Sequence, residues 1–455
     1  MINLDSAVLE KFKQQISGEV ITPGDAGFDD VRRIHNGMID RSPAVIVRCI
    51  GVADVIDAIA LADSQNIEIA VRGGGHNVAG RAVCDDGLMI DMGLMKGTWV
   101  DPQSRLIRVQ GGATWGEFNR ATQTYGLATT GGAISSTGVA GLTLGGGFGF
   151  LMGKLGLTID NLNAAELVTA SGEVLRASAT ENAELFWGLR GGGGNFGVVT
   201  SFEFNLHPIG PEVHGGMIAF PFDQGSNFLE AYRGITASAE EEFTVLAGFT
   251  HARDGSGTKL AAMLPCHCGS ANKAGKVINT IRAIGKPVLD TLGTISYTAL
   301  NQLLDPGVPK LDLYYWKSCF VDEISDDVGR ILIEQFQISP SSKCKLFLEH
   351  FHGAAIRPDS CASAFPHRKP GYSVLIIAQW TDSKMTDECI SWARQTYQRL
   401  LQHSDGNVYS NYMDNDEQSR LENAYGNNLP RLRQLKKSYD PGNLFHLNQN
   451  IPPSA

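Results

Sequence analysis

The chain has 455 residues, 43% of them hydrophobic and 19% charged, with a formal net charge of −10. That length allows two or three domains with large cores, and the acidic balance argues against a nucleic-acid or anionic-membrane partner, whose phosphates need clustered Lys and Arg. No apolar run approaches the roughly 18 residues of a membrane span. The N-terminal stretch is charged from Asp5 onward where a secretory signal would be apolar. The eight cysteines have no framework spacing, and the C-x-C of Cys266 and Cys268 lacks a second ligand pair. Reduced thiols, no metal and a cytoplasmic location are therefore expected.

In chain order, Ala7 to Ile16 carries a helical pattern that Pro23-Gly24 closes off. Ala44 to Arg48 reads as a buried strand, Val52 to Gln65 as a helix and Ile67 to Val71 as a second strand stopped by three glycines. From Gly87 to Phe204 short strands dominate (88–91, 106–109, 164–168, 198–204), with helices expected at 115–125 and 184–188. The texture changes after the break His207-Pro-Ile-Gly-Pro211. Residues 212–400 alternate longer amphipathic helices, such as Ala271–Ile284 and Asp387–Leu401, with strands at Lys345–Phe351 and Tyr372–Trp380. An antiparallel sheet with helices on one face fits that pattern. Beyond residue 406 the chain is aperiodic until a helix around Pro430–Ser438.

Glycine is over-represented, with 52 residues against a usual share near ~7%. It clusters at Gly73–Gly75, Gly131–Gly149 and Gly191–Gly197. Three glycines after a strand permit positive φ and expose a row of N–H groups, which suits pyrophosphate. His76 directly after that turn either points into what the turn cradles or is a surface histidine. The run Gly138 to Gly149 holds seven glycine or alanine positions in twelve residues, flanked by the hydroxyls of Thr137 and Thr143. A long ligand against backbone amides would explain it, because glycine in regular structure costs about 0.5–1 kcal/mol relative to alanine. A Rossmann site is disfavoured: no strand, G-x-G-x-x-G and helix are followed by an acidic residue ending a second strand.

Taken in order, RGGGHNVAG, GLMIDMGLMKGTWVDPQSRLIRVQGGATW, TGVAGLTLGGGFGFLMGKLGLTIDNL, LFWGLRGGGGNFGVVTSFEF, AFPHR, YSNY and YDPGNLFHLNQNI resemble a known family. It is the FAD-linked oxidases of the vanillyl-alcohol oxidase/p-cresol methylhydroxylase superfamily, in the berberine-bridge-enzyme-like branch. The resemblance implies an α+β, two-domain PCMH-type FAD-binding fold with an antiparallel-sheet substrate domain. The implied division is a lead-in at 1–37, the FAD-binding domain at 38–208, the substrate domain at 209–405 and a segment 406–455 returning to the FAD domain. It implies FAD held by an 8α-bond to His76. Arg72, Gly73, Gly74, Gly75 and Asn77, with Gly138, Val139 and Gly141, would form the pyrophosphate turns. Asp160, Asn161, Gly197 and Val199 would lie beside the flavin and adenine portions, and Asn411, Asn448 and Asn450 would complete the site.

Three positions depart from the family pattern. Ile134 stands where many relatives carry a second flavin-linking cysteine, so attachment through His76 alone is expected. Thr137 stands near the oxygen-reacting face, where a small side chain leaves room for O2. Leu375 stands where plant relatives place a catalytic Glu or Gln, so the base must come from elsewhere. Hydride transfer to flavin N5 needs a proton acceptor for the adjacent O–H or N–H, an effect of about 10²–10⁴-fold. Tyr409, with a lowered pKa, is the first candidate, on a strand whose one face carries Tyr409 and Asn411 and whose other carries Ser410 and Tyr412; it can also be only a wall of the site. Glu349 is the second, sharing a strand face with Lys345 opposite His350 and His352; it can serve as base, hold a substrate amine or be surface charge. His367 and Arg368 read as stabilising residues, Trp316 and Trp380 as core or pocket wall. The expected partners are a small organic substrate (alcohol, amine, sugar or polycyclic) and O2, with H2O2 as product. A dehydrogenase using another acceptor, or a flavin-binding protein with little turnover, are the alternatives.

Overall fold

The computed structural model describes residues 5–454; residues 1–4 and 455, the outer ends of the expected lead-in and C-terminal segment, lie outside the described residues. Helix Ser6–Gln15 opens on Asp5, whose carboxylate accepts from the Ala7 N–H at 2.7 Å. A four-stranded sheet follows in the order Glu19–Ile21, Val45–Arg48, Leu88–Asp91, Ile69–Arg72. Helix Val52–Gln65 connects Val45–Arg48 to Ile69–Arg72, as its spacing predicts, yet the two strands do not pair. Leu88–Asp91 lies between them, parallel to both. The arrangement holds Arg72 against Asp91 at the C-terminal ends of their neighbouring strands, in two hydrogen bonds.

A second, antiparallel sheet has the order Thr98–Asp101, Leu106–Gln110, Val198–Asn205, Leu162–Val168, Val174–Ser178. Its core joins Ile107, Phe202 and Phe204 to Trp115 and Phe118 of helix Trp115–Gln123. Thr114 and Glu117 cap that helix reciprocally. The same core takes in Val408, Tyr425, Leu432 and Ile451, so the last fifty residues pack back onto the first half of the chain.

The third sheet has nine strands, all antiparallel. Strands alternate their side chains between two faces. Val245, Ala247 and Phe249 enter a core with helices Gly225–Ala237, Ala271–Arg282, Asp326–Gln337 and Thr386–Leu400. Leu246, Gly248 and Thr250 point the other way and wall a cavity.

Helix Leu429–Tyr439 carries Pro430 in its first turn, where the missing N–H is no loss. Its Lys436 is fully buried against Asp440 at 2.6 Å and also donates to the Asn195 and Phe445 carbonyls. Asp440 in turn accepts from the Leu444 and Phe445 N–H groups. A buried pair is tolerated when every donor and acceptor is satisfied in this way, and this one pins residues 440–445 beside the Gly191–Gly197 turn. The YSNY segment is not a strand. Ser410–Tyr412 makes one 3-10 turn, which brings Tyr409 and Tyr412, three residues apart, to the same side. Four residues are too few for a period of two to be told from a period of three.

Candidate active site

The glycine turns, the C-terminal segment and the open face of the nine-stranded sheet enclose one cavity of about 720 Å³. Most glycines around it answer to packing. A Cβ on Gly74 would stand 2.4 Å from the Gly138 nitrogen, and one on Gly138 would stand 2.4 Å from the Gly74 nitrogen. The two turns therefore meet backbone to backbone. Gly145 and Gly147 likewise have no room beside Asn411 and Thr158. The expectation that a ligand explains this density holds only in part: Gly141 and Gly194 face open space, and both line the cavity.

Seven buried polar atoms, each from a different residue along the same end, lack a protein partner, among them His76 Nε2, Asn77 Oδ1, Arg81 Nε, Gln449 Oε1 and Asn448 Oδ1. The other two are Asn450 Oδ1 and Tyr425 Oη. Buried polar groups are almost always paired, so this clustering marks the place of a polar ligand. The His76 ring stacks on His35 at 3.9 Å, and His35 stacks in turn on Tyr314 at 4.9 Å. Burial lowers the His76 pKa to about 4, which keeps the imidazole neutral.

At the other end Glu349 and Lys345 face the cavity from one strand, while His350 and His352 point away from it and stack on each other at 4.4 Å. Glu349 is buried. Its Oε1 accepts from the Tyr412 hydroxyl at 2.9 Å, and its Oε2 has no partner. Burial raises its pKa to about 7, against the lowering effect of the Tyr412 and Ser373 hydroxyls. Tyr409 corrects the expectation of a lowered pKa. Burial raises it, although the Gly147 N–H at 2.9 Å and Asn411 Nδ2 at 2.8 Å both donate to its hydroxyl. Its ring stacks on Phe148 at 3.9 Å, which makes it a braced wall rather than an ionising group.

A family model described as "FAD binding domain" matches residues 43–178, and one described as "Berberine and berberine like" matches residues 408–452. An FAD-linked oxidoreductase from Dictyostelium discoideum is 30% identical over 98% of this chain and 97% of its own. The (R)-6-hydroxynicotine oxidase of Paenarthrobacter nicotinovorans is 29% identical over 97% and 98%. Among solved structures, 6-hydroxy-D-nicotine oxidase from Arthrobacter nicotinovorans superimposes with a TM-score of 0.88 at 28% identity, covering 96% of this chain and 98% of that one. The chain belongs to the berberine-bridge-enzyme-like family. It is an FAD-linked oxidoreductase with the PCMH-type fold.

The residues present fit FAD: glycines open to the cavity, and unpartnered polar atoms in a row beside them. Gly73, Gly74, Gly75, His76, Asn77, Thr137, Gly138, Gly141, Gly197, Val199, Asn411 and Asn448 line the cavity, as do Tyr409, Glu349 and Tyr412. Arg72, Val139, Asp160, Asn161 and Asn450 do not. Arg72 is spent on Asp91. Asp160 pairs with Arg368 at 2.7 Å and caps the Leu157 N–H, tying the 158–161 turn to the AFPHR segment. Asn161 donates to the Leu155 and Leu157 carbonyls, and Val139 is a core residue. Ile134 and Leu375 both line the cavity with apolar side chains.

Sequence reasoning passed over Arg81. Its Nη2 donates to Gln418 at 3.1 Å, its Nε has no partner, and it lines the cavity just after the first glycine turn. The only signal was a lone cation following Gly80. A half-buried guanidinium there is placed to meet an anionic pyrophosphate. Arg81→Met keeps most of the stem packing and removes the charge. In a His76→Ala background it is expected to weaken FAD binding by about 10–100-fold, measured by flavin fluorescence titration. Unchanged affinity would remove Arg81 from the phosphate site.

Proposed function

We propose that the protein is an oxidase of a small organic alcohol or amine, with Glu349 as the proton acceptor and His76 as the single covalent anchor of the flavin. The observation that carries this reading is the Glu349 carboxyl: buried on the cavity wall, with one oxygen free and a pKa near neutrality. When bound, FAD supplies the acceptor for a hydride from the substrate C–H and passes both electrons to O2, giving H2O2. Glu349 Oε2 takes the proton from the adjacent O–H or N–H as the C=O or C=N forms. Tyr412 donates to Oε1 and fixes the carboxyl plane, leaving Oε2 without a partner. A base works best with a pKa near the working pH, and burial achieves that here. Names of relatives support the oxidase reading: a 6-hydroxynicotine oxidase and a xylooligosaccharide oxidase are among them.

Leu375 supports the assignment to Glu349. The lost polar position lies opposite Phe347, and Glu349 lies opposite Ser373, so the carboxyl sits one strand over and one row along. For the flavin anchor, His76 lines the cavity and its neutral imidazole has a nitrogen lone pair. Ile134 offers none.

Two measurements test the proposal. Anaerobic flavin reduction should lose rate as pH falls through about 7, because the carboxylate form is the active one, and Glu349→Gln should cost about 10²–10⁴-fold and erase that limb. A variant that keeps the wild-type pH profile would remove Glu349 from the chemistry. Acid-precipitated wild-type protein should stay yellow, and His76→Ala should release all its flavin to the supernatant. Colour retained in that pellet would place the bond elsewhere.

A further inference from the structure

One row of side chains crosses six strands on the cavity face of the large sheet. Leu289 pairs with Ala219, Ala219 with Ala262, Ala262 with Gly248, Gly248 with Phe347, and Phe347 with Leu375. All six line the cavity. The three central members are the smallest available, while the rows on either side carry Leu264, Leu246 and Glu349, and Leu260 and Thr250. Small residues between larger ones make a trough. At Gly248 the missing side chain is obligatory: φ is +152°, and a Cβ would stand 1.9 Å from the Leu346 carbonyl oxygen.

The trough has a closed end and an open one. Phe347 and Leu375 end it beside Glu349, two residues along the same strand. At the other end Val288 and Leu289 are 60% and 41% exposed, an unusual placement for large apolar side chains unless they flank a mouth. Four strand spacings of about 4.8 Å separate Leu289 from Phe347, so the trough is about 19 Å long. The Lys345 amine is turned to Gln379 and to the Gly307 and Lys343 carbonyls, which take up its hydrogen-bonding capacity. The floor row itself carries no polar side chain, the polar groups of Thr250, Arg253 and Asp254 lining the cavity outside it, and hydroxyls buried unpaired against the floor are costly.

We infer that the substrate is an extended apolar molecule with its oxidisable hydroxyl or amine at one end, the polar end at Glu349 and the body in the Ala219–Ala262–Gly248 trough. This rests on Glu349 as the reacting end, and deepens that reading by naming the substrate class.

The test uses the flavinylated enzyme under anaerobic conditions and two probe series, 1-alkylamines and 1-alkanols from butyl to decyl, with xylobiose as the polar counter-probe. Binding is read from the shift of the flavin absorbance, and turnover from its bleaching. Dissociation constants should fall about three- to fourfold per methylene in at least one series, and xylobiose should give no shift. Ala219→Leu and Ala262→Leu should abolish the gain beyond hexyl, so that decyl probes bind no more tightly than hexyl ones. A flat chain-length series in the wild type, or tighter binding of xylobiose, overturns the trough whatever the variants do. Failure of the parent reading looks different. Length-dependent binding with no bleaching at any pH would sink Glu349 as base and leave the trough standing; bleaching by butyl probes without length dependence would do the reverse.

Discussion

The site turns on one carboxyl placed where carboxyls are unfavourable. Glu349 lies on a sheet face beside Leu246, Phe347, Leu375 and Ile377, and its Oε1 accepts a hydrogen bond from Tyr412. Desolvation penalises its charged form. The side chain is therefore held near the point at which it accepts and releases a proton in neutral water. A salt bridge would favour the charged form and abolish that poise. Strain of this kind is where stability and activity oppose one another.

Everything around the carboxyl keeps it dry and in place. The helices behind the sheet make the strand rigid, the 3-10 turn at Ser410–Tyr412 brings Tyr412 over it, and Phe148 and Tyr409 close the side. That turn is carried by the C-terminal segment, which Lys436 and Asp440 lock onto the first half of the chain. The segment thus links the glycine-turn end of the cavity to the acid–base end. Its loss would open both.

Local pattern made much of this legible. Helix Val52–Gln65 and strands Leu88–Asp91 and Lys345–Phe351 lie where periodicity puts them, since amphipathic spacing is a property of the element itself. Strand order was not: the insertion of Leu88–Asp91 between its neighbours depends on pairing across the chain. Alternation along Lys345–His352 showed that Lys345 and Glu349 share a face, but not that this face is the one that walls the cavity; that depends on what packs behind the sheet. The glycine runs pointed to a ligand partly for the wrong reason, because backbone contact between Gly74 and Gly138 involves turns 64 residues apart. Tyr409 was assigned a lowered pKa from its place beside the flavin in the family, whereas burial without a nearby cation drives it upward. Arg81 carried no periodic or motif signal at all.

The central claim, that the fold lifts the Glu349 pKa to about 7, is most directly measured through stability. Below about pH 4.5, the ordinary glutamate value, the group is neutral whether the protein is folded or unfolded. As pH rises toward 7 the unfolded chain ionises first, so the folded state progressively loses the stability that the protonated form contributes, and above 7 the loss is complete. Glutamine cannot ionise. Denaturation of the wild type and Glu349→Gln at a series of pH values should therefore show the variant gaining relative stability between about pH 4.5 and 7 and holding it above. A stability difference that does not change with pH would mean that Glu349 titrates as it would in water, and the account would fail at its base.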